Sequence, residues 1–460
     1  MRKGLGKKVL LLHAPFGKKW KKISSMSPPL GLLYLASPLQ REGYNVSFID
    51  LNVDHLTKKE LMQTIKEQDF ILITCYTGTI NNVRKVIKCI RKANSSINIC
   101  CGGPYCNINR EYIEGSDLTC IGEGEGYITK ILQSYSLNRS LNDIPGIIYK
   151  KNGKLVKTPG VMMVDDLDSS LPPSRELANR KGYGFIGNAK FDIAVIMSSR
   201  GCPFSCHYCS FVLSNTKYRT RSVNGVVSEI KSLVKSGYDF ITFGDDNFLV
   251  NKKRIHKIMD TIIQEKIKVK IIVQGRVDSA DYKFYKKLRD AGVIAILYGI
   301  ESANQDVLDY YNKQATVEQA VEAIKLANKV GIITIGSFII GAPFETKKHY
   351  SKTKEFFDQV PLDLMLCSKL TYFRGSKLWN DANKKGIIKD EEHTVMTDER
   401  FCNYSSEELS EIRTELIKHF YRNPRRLLSL YCKVIRLGQA RSIFKSLQFL
   451  NWFIKYNKSY

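Results

Sequence analysis

No stretch of the 460-residue sequence approaches the roughly 20 consecutive apolar residues of a membrane span, so no spanning helix is expected. There is no internal repeat and no low-complexity segment, which sets aside solenoids and tandem arrays. A second close cysteine pair is missing too. Cys75, Cys89, Cys100, Cys101, Cys106, Cys120, Cys367, Cys402 and Cys432 are scattered through mostly apolar runs, and only Cys202, Cys206 and Cys209 lie together. A zinc site of paired Cys-x-x-Cys type has no material here, and reducing pools in the cytoplasm leave little reason for disulfides. Acidic residues are also scarce, 45 against 71 Lys and Arg, for a net charge of +26. Such charge suits nucleic acid, an anionic membrane or an acidic substrate. No RNA-binding signature accompanies it, so nucleic acid is not expected and the charge reads as lysine-rich solvated faces.

At this length one core is not enough, and about two to four domains are expected. With 43% hydrophobic and 10% aromatic residues the chain can bury them. The first 15 residues look superficially like a short signal peptide, but the apolar stretch breaks early and no small-residue cleavage site follows. They read as a first strand, with the chain in the cytoplasm.

Residues 1–140 alternate short apolar strands (9–13, 45–50, 70–75, 97–101, 118–121) with amphipathic helices (30–41, 58–66, 80–93, 126–135), the order of a doubly wound domain. Ligands are then expected at the strands' carboxyl ends, where His13-Ala14-Pro15, Thr77-Gly78-Thr79, Gly102-Gly103-Pro104 and Gly122-Glu123-Gly124-Glu125 fall. Residues 141–190 read as a hairpin turning at Asn152-Gly153, then an interdomain linker with Leu171-Pro172-Pro173. From 191 to 395 at least five strand–helix units predict a full or partial (β/α) barrel, its site on the loops after the strands. Residues 396–460 read as a basic helical region.

The strongest signal is Arg200-Gly201-Cys202-Pro203-Phe204-Ser205-Cys206-His207-Tyr208-Cys209, in a loop just after a strand. Three thiolates at this spacing can wrap a cubane [4Fe-4S] cluster and leave one iron without a protein ligand. That iron can chelate the amino and carboxylate groups of S-adenosylmethionine (SAM), and one electron then opens the sulfonium to a 5′-deoxyadenosyl radical.

Cys-x3-Cys-x2-Cys with Tyr208 before the last cysteine resembles the radical SAM superfamily. The resemblance implies that Tyr208 lies near the adenine and that Gly244, Asp245 and Asp246, within Phe243–Phe248, hold the methionine amino group. It implies that Glu301, in Tyr298-Gly299-Ile300-Glu301-Ser302, meets the ribose, and that Ile339 and Gly341 lie in the element beneath the adenine. Gln274 and Arg276 are candidates for the methionine carboxylate or substrate.

Upstream, Ser27-Pro28-Pro29-Leu30-Gly31-Leu32-Leu33-Tyr34-Leu35-Ala36, with the Gly102 and Gly122 loops, resembles the cobalamin-binding domain of one branch of that superfamily. The branch includes C-methyltransferases, hopanoid-modifying enzymes and the anaerobic magnesium-protoporphyrin ester cyclase. It implies an α/β protein with an N-terminal doubly wound, cobalamin-binding-like domain, a radical SAM partial (β/α) barrel and a helical C-terminal cap that helps close the pocket. Its cofactors would be a [4Fe-4S] cluster, S-adenosyl-L-methionine and cobalamin. Candidate cobalamin contacts are Pro29, Leu30, Thr77, Gly78, Gly102, Gly103, Pro104, Gly122, Glu123 and Glu125. The implied activity is methylation of an unactivated carbon of a small-molecule or lipid-like substrate, fed by an external donor such as flavodoxin or ferredoxin. The basic end, 433–458, raises peripheral membrane contact as a further expectation.

The sequence departs from the branch in two places. No Asp-x-His-x-x-Gly occurs, so a histidine below cobalt is not indicated. The loop Tyr372-Phe373-Arg374-Gly375-Ser376 lacks the prolines expected before Gly-Ser. Three other readings stand beside the leading one: a radical cyclase or rearrangement enzyme, a tRNA methylthiotransferase with Cys75, Cys101 and Cys106 as further cluster ligands, and an iron–sulfur electron carrier. The helical C-terminus weighs against the second, and the matching SAM loops against the third.

Overall fold

A computed structural model describes residues 6–16, 27–186, 189–210 and 217–436. The chain divides into two compact units, Met1–Ile186 and Gly187–Tyr460. The basic end beyond residue 436 lies outside the described residues, so the membrane expectation finds no structure to rest on. No described helix is long and apolar enough to cross a membrane.

The first unit runs β1 (Lys8–His13), α1 (Leu30–Arg41), β2 (Asn45–Asp50), α2 (Lys58–Lys66), β3 (Phe70–Thr74), α3 (Ile80–Ala93), β4 (Asn98–Gly102), α4 (Pro104–Asn109), β5 (Leu118–Cys120), α5 (Ile128–Ser136), β6 (Ile147–Lys151) and β7 (Lys154–Lys157). The sheet order is β2-β1-β3-β4-β5-β6-β7, the first five parallel and the last two antiparallel. Alternation along β1 explains the two faces. Val9 and Leu11 pack with Leu32, Ala36 and Leu39 of α1 and Ile131 of α5, while Leu10 and Leu12 pack with Ile65 of α2 and Val83, Ile87 and Ile90 of α3. Burying each such side chain contributes roughly 1.5–3 kcal/mol, so β1, buried on both sides, anchors the unit. The expected hairpin extends this sheet: β6 pairs with β5, Leu118 facing Tyr149.

The second unit carries β8 (Ile193–Ile196), α6 (Val223–Lys235), β9 (Phe240–Phe243), α7 (Lys252–Gln264), β10 (Lys270–Gly275), α8 (Tyr282–Asp290), β11 (Val293–Glu301), α9 (Gln305–Tyr310), α10 (Val317–Lys329), β12 (Ile333–Ile340), α11 (Lys347–Gln359) and β13 (Leu364–Lys369). Its six strands lie side by side in chain order, every pair parallel. All six carboxyl ends therefore share one edge, as a partial barrel requires. After α12 (Lys377–Lys384) come α13 (Ser406–Tyr421) and α14 (Pro424–Val434). The helices of the expected cap flank the edge strand, and Thr397 ahead of them donates to the Gly341 carbonyl at 3.1 Å, on the carboxyl edge. Lys369, at the end of β13, bonds the Ser406 carbonyl at 2.6 Å, so α13 starts at that edge. The Tyr421 hydroxyl then bonds Met365 within β13, and Lys433 of α14 meets Asp363, just before the strand, at 2.6 Å. These helices satisfy an edge that would otherwise offer unpaired backbone groups.

Candidate functional site

The cysteine loop opens at Gly201, whose φ of +81° turns the chain away from β8. Cys202, Cys206 and Cys209 are half-buried on it. Among the described residues no three His, Cys, Asp or Glu side chains converge on a single ion position. Their loop is held from three sides. The Gly201 amide donates to Asp246 Oδ2 at 3.0 Å. The His207 amide donates to the Tyr311 carbonyl at 2.9 Å, and His207 Nδ1 lies 2.9 Å from the Tyr310 carbonyl. Asn312 Nδ2 donates to the Ser205 carbonyl at 3.0 Å, and the Phe204 ring lies 3.7 Å beneath the Arg276 guanidinium. Burial pushes the Cys202 thiol up, while the Phe204 amide and the Arg276 charge pull it back.

The strand ends bring the other predicted residues of this unit to the same edge. Asp245 is fully buried, and its carboxylate is taken by the Ser198 amide (2.7 Å), the Ser198 hydroxyl (2.6 Å) and the Ser199 hydroxyl (2.5 Å). It braces the entrance to the cysteine loop rather than pointing a free carboxylate at a ligand, and its carbonyl accepts from Gln274 Nε2 at 2.5 Å. Burial raises the pKa of both Asp245 and Asp246, the hydrogen bonds from Ser198 and from Gly201 opposing it. A Cβ on Gly244 would come within 2.9 Å of Met197 Sδ and 3.0 Å of Val195 Cγ1, so that glycine lets the loop lie close to β8 and its end.

Glu301 follows a bulge in the β11–β12 register and adopts φ +68°, rare for a side chain of its size. Its Oε1 accepts from the Tyr208 hydroxyl and from Lys313 Nζ, each at 2.9 Å. Burial, then the Glu301 charge, pushes the Tyr208 phenol upward and keeps it a donor. Ile339, like Tyr208 and Tyr310, packs against the buried cluster that contains Tyr311 and Tyr372. Gly341 (φ +95°) carries a turn whose amide, with that of Ala342, donates to buried Glu345 at 2.6 and 2.8 Å. Burial raises Glu345 to about 7 against the pull of those amides.

Three buried polar atoms around this site lack partners among the described residues: Asn247 Oδ1, after β9, Arg276 Nη1, after β10, and the Tyr311 hydroxyl, whose ring packs on Tyr208. An acceptor and a cationic donor left over at adjoining strand ends fit the ammonium and carboxylate of an amino-acid moiety. Asn247 and Lys313 were missed in the sequence as individual residues. Lys313 sits in a connection between helices, where no strand-end signal falls.

In the first unit the predicted residues gather at the carboxyl ends of β1, β3, β4 and β5, with Pro29 and Leu30 at the start of α1. Thr77 and Gly78 are exposed after β3. Gly103 (φ +101°) precedes Pro104, the first residue of α4, and follows Gly102. A Cβ on Gly103 would strike Thr74 Oγ1, and one on Gly122 would strike the Met162 backbone, so these two glycines answer to their own chain. Glu123 Oε2 accepts from the Val164 amide at 2.8 Å, tying 161–164 to the loop that carries Glu125. Cys75, Cys101 and Cys106 are fully buried in the helix-facing core, not on a loop suited to a second cluster. Here too a buried atom lacks a partner among the described residues, His13 Nε2 at the end of β1. His13 Nδ1 faces Asp50 at 3.1 Å. Burial works to raise Asp50, but the His13 and Asn52 hydrogen bonds outweigh it and hold the carboxylate below its usual range.

Each unit contains a segment that matches a known family. Residues 196–357 match the radical SAM superfamily, and residues 21–132 match the B12 binding domain. The chain is 31% identical to an uncharacterized methyltransferase of Pyrococcus horikoshii over 92% of its own length and 94% of that protein. It is 28% identical to the anaerobic magnesium-protoporphyrin IX monomethyl ester cyclase of Cereibacter sphaeroides, over 75% of this chain and 59% of that one. In fold it is similar to OxsB, a cobalamin-dependent S-adenosylmethionine radical enzyme solved with aqua-cobalamin and S-adenosylmethionine bound. The TM-score is 0.73 at 17% identity, over 96% of this chain and 72% of that one.

Proposed function

The chain belongs to the radical SAM enzymes that carry a B12-binding domain, and we propose that it is a methyltransferase acting on an unactivated carbon of a small-molecule or lipid-like substrate. The observation that carries this reading is the similarity to a methyltransferase across 92% of the chain, spanning both units. Its cofactors are a [4Fe-4S] cluster, SAM and cobalamin.

When bound, they supply one electron to open a carbon–sulfur bond of SAM and a carrier for a methyl group. The chain's own residues do the rest. Cys202, Cys206 and Cys209 hold the cluster. Asn247 Oδ1 would accept from the SAM ammonium and Arg276 Nη1 would donate to its carboxylate, which would fix its orientation. Glu301 keeps Oε2 for a ribose hydroxyl while Tyr208 and Lys313 hold Oε1. Gly341, steadied by Glu345, gives the adenine a flat approach. The electron comes from a small external donor of the flavodoxin or ferredoxin kind.

The similarity to a cyclase favours a second reading, in which the substrate radical closes a ring without methyl transfer. SAM carrying a trideuterated methyl group separates the two. Given to anaerobic protein loaded with cluster, cobalamin and a low-potential reductant, it should yield S-adenosylhomocysteine in proportion to bound cobalamin. Production of 5′-deoxyadenosine with no S-adenosylhomocysteine would overturn methyl transfer in favour of cyclisation.

A further inference from the structure

The order β2-β1-β3 makes the carboxyl ends of β1 and β3 the switch point of the first sheet, since the chain leaves them toward opposite faces. His13 is the last residue of β1, and the register sets it beside Asp50 on one side and Thr74 on the other. It is 4% exposed. Asp50, wholly buried, collects three donors besides His13: its Oδ1 takes the Asn52 amide at 2.9 Å and Asn52 Nδ2 at 2.7 Å, and its Oδ2 takes the Tyr183 hydroxyl at 2.8 Å while facing His13 Nδ1 at 3.1 Å. Asn52 Nδ2 lies 3.4 Å from His13 Nδ1, but its two hydrogens have nearer acceptors in Asp50 Oδ1 at 2.7 Å and the Ala14 carbonyl at 3.3 Å. The proton on the imidazole therefore lies at Nδ1, toward the carboxylate, and the lone pair is left on Nε2.

That nitrogen is enclosed and without a hydrogen-bond partner among the described residues. The Phe16 and Tyr76 rings stand edge-on to the imidazole, 5.5 and 5.6 Å away between centroids. A histidine kept only to stabilise a core would place both nitrogens in bonds. One whose far nitrogen is oriented by a carboxylate, with its near nitrogen aimed away from every partner, has the build of a metal ligand with its supporting shell.

We propose that His13 Nε2 would coordinate the cobalt of a corrinoid held by this unit, oriented by Asp50, Asn52 and Tyr183. The proposal rests on the first unit binding cobalamin. The missing Asp-x-His-x-x-Gly does not count against it, because the carboxylate comes from the neighbouring strand β2 instead of from two residues upstream.

The test is electron paramagnetic resonance of the full-length protein loaded with cobinamide, which lacks the nucleotide base, and reduced to the cobalt(II) state. Any nitrogen splitting then comes from the protein. Each high-field cobalt line should split into a triplet, and into a doublet when the protein is made with 15N-histidine. His13→Ala and the bulkier His13→Gln should both lose the splitting while retaining corrinoid. The wild-type isotope change stands even if a variant fails to fold. Unsplit lines in wild-type protein that holds cobinamide, or splitting that survives in His13→Ala, would overturn the ligand while leaving the B12-binding reading intact. Failure of the wild-type chain to retain either cobinamide or cobalamin would overturn both.

Discussion

Glu345 shows how one side chain ties a pH response to a binding turn. Its carboxyl is buried against the Gly341 and Ala342 amides, and its folded-state pKa of about 7 lies above the ordinary 4.5. The folded chain thus holds a proton that the unfolded chain releases between those values. Stability from that proton is complete below the unfolded value and is lost as pH rises through the folded one, roughly 3 kcal/mol in all. Urea midpoints at about pH 5 and about pH 8 should fall for the wild type, and Glu345→Gln should remove most of that fall. Residue roles were unevenly legible in the sequence. The three cysteines announce themselves because their spacing is local. Asp245 looks like a ligand in the sequence, but its bonds to Ser198 and Ser199 come from a neighbouring strand, which no local pattern records. His13 stood at a strand end where a ligand was expected, but its pairing with Asp50 lies across a strand pair and was not legible.

The cysteine loop depends on an element that carries no cysteine, the connection from Tyr310 to Gln314. That connection supplies two carbonyls to His207, an amide side chain to Ser205, Lys313 to Tyr208 and the Gln314 carbonyl to Arg276 at 2.8 Å. Asn312 holds φ +49°, a conformation asparagine tolerates better than most residues. Asn312→Ala should cost about 1 kcal/mol of stability and lower the iron retained after desalting, whereas Asn312→Asp should keep the backbone and still lose iron. At the opposite end of the second sheet, Lys433 meets Asp363 in a pair that is 8% and 2% exposed. Lys433→Met should destabilise the chain by about 3 kcal/mol in urea unfolding, and adding Asp363→Asn should recover a good part, because the cost lies in the charge left behind. Most helices were legible to within a residue or two because their ends are written locally. Thr57 with Glu60 and Thr316 with Gln319 form capping boxes, and α2 starts where the first of them says it should. The hairpin of β6 and β7 was visible as a hairpin, but its joining of the first sheet depends on β5 and was not. The course of α14 was equally hidden, being set by Asp363.

On the scale of the whole molecule, two cofactor sites belong to two separately cored units. Replacing Cys202, Cys206 and Cys209 together by alanine should therefore abolish bound iron and leave bound cobalamin close to the wild-type amount, read by iron assay and by the corrinoid absorption band. Parallel loss of cobalamin would show that the first unit depends on the cluster. The α/β order of both units was legible throughout, since alternating apolar runs record which strands are buried on both faces. Substrate was not, because its recognition draws on side chains that only folding brings together.

The central claim is that this chain opens SAM by radical chemistry at the Cys202–Cys206–Cys209 loop. The most direct measurement is 5′-deoxyadenosine release by anaerobically reconstituted protein given iron, sulfide, cobalamin, SAM and a strong reductant, beside the triple-alanine variant. Release by the wild type that vanishes in the variant is the predicted result. A wild-type protein whose cluster is full by iron and sulfide assay, yet which releases no more 5′-deoxyadenosine than the variant, would contradict it.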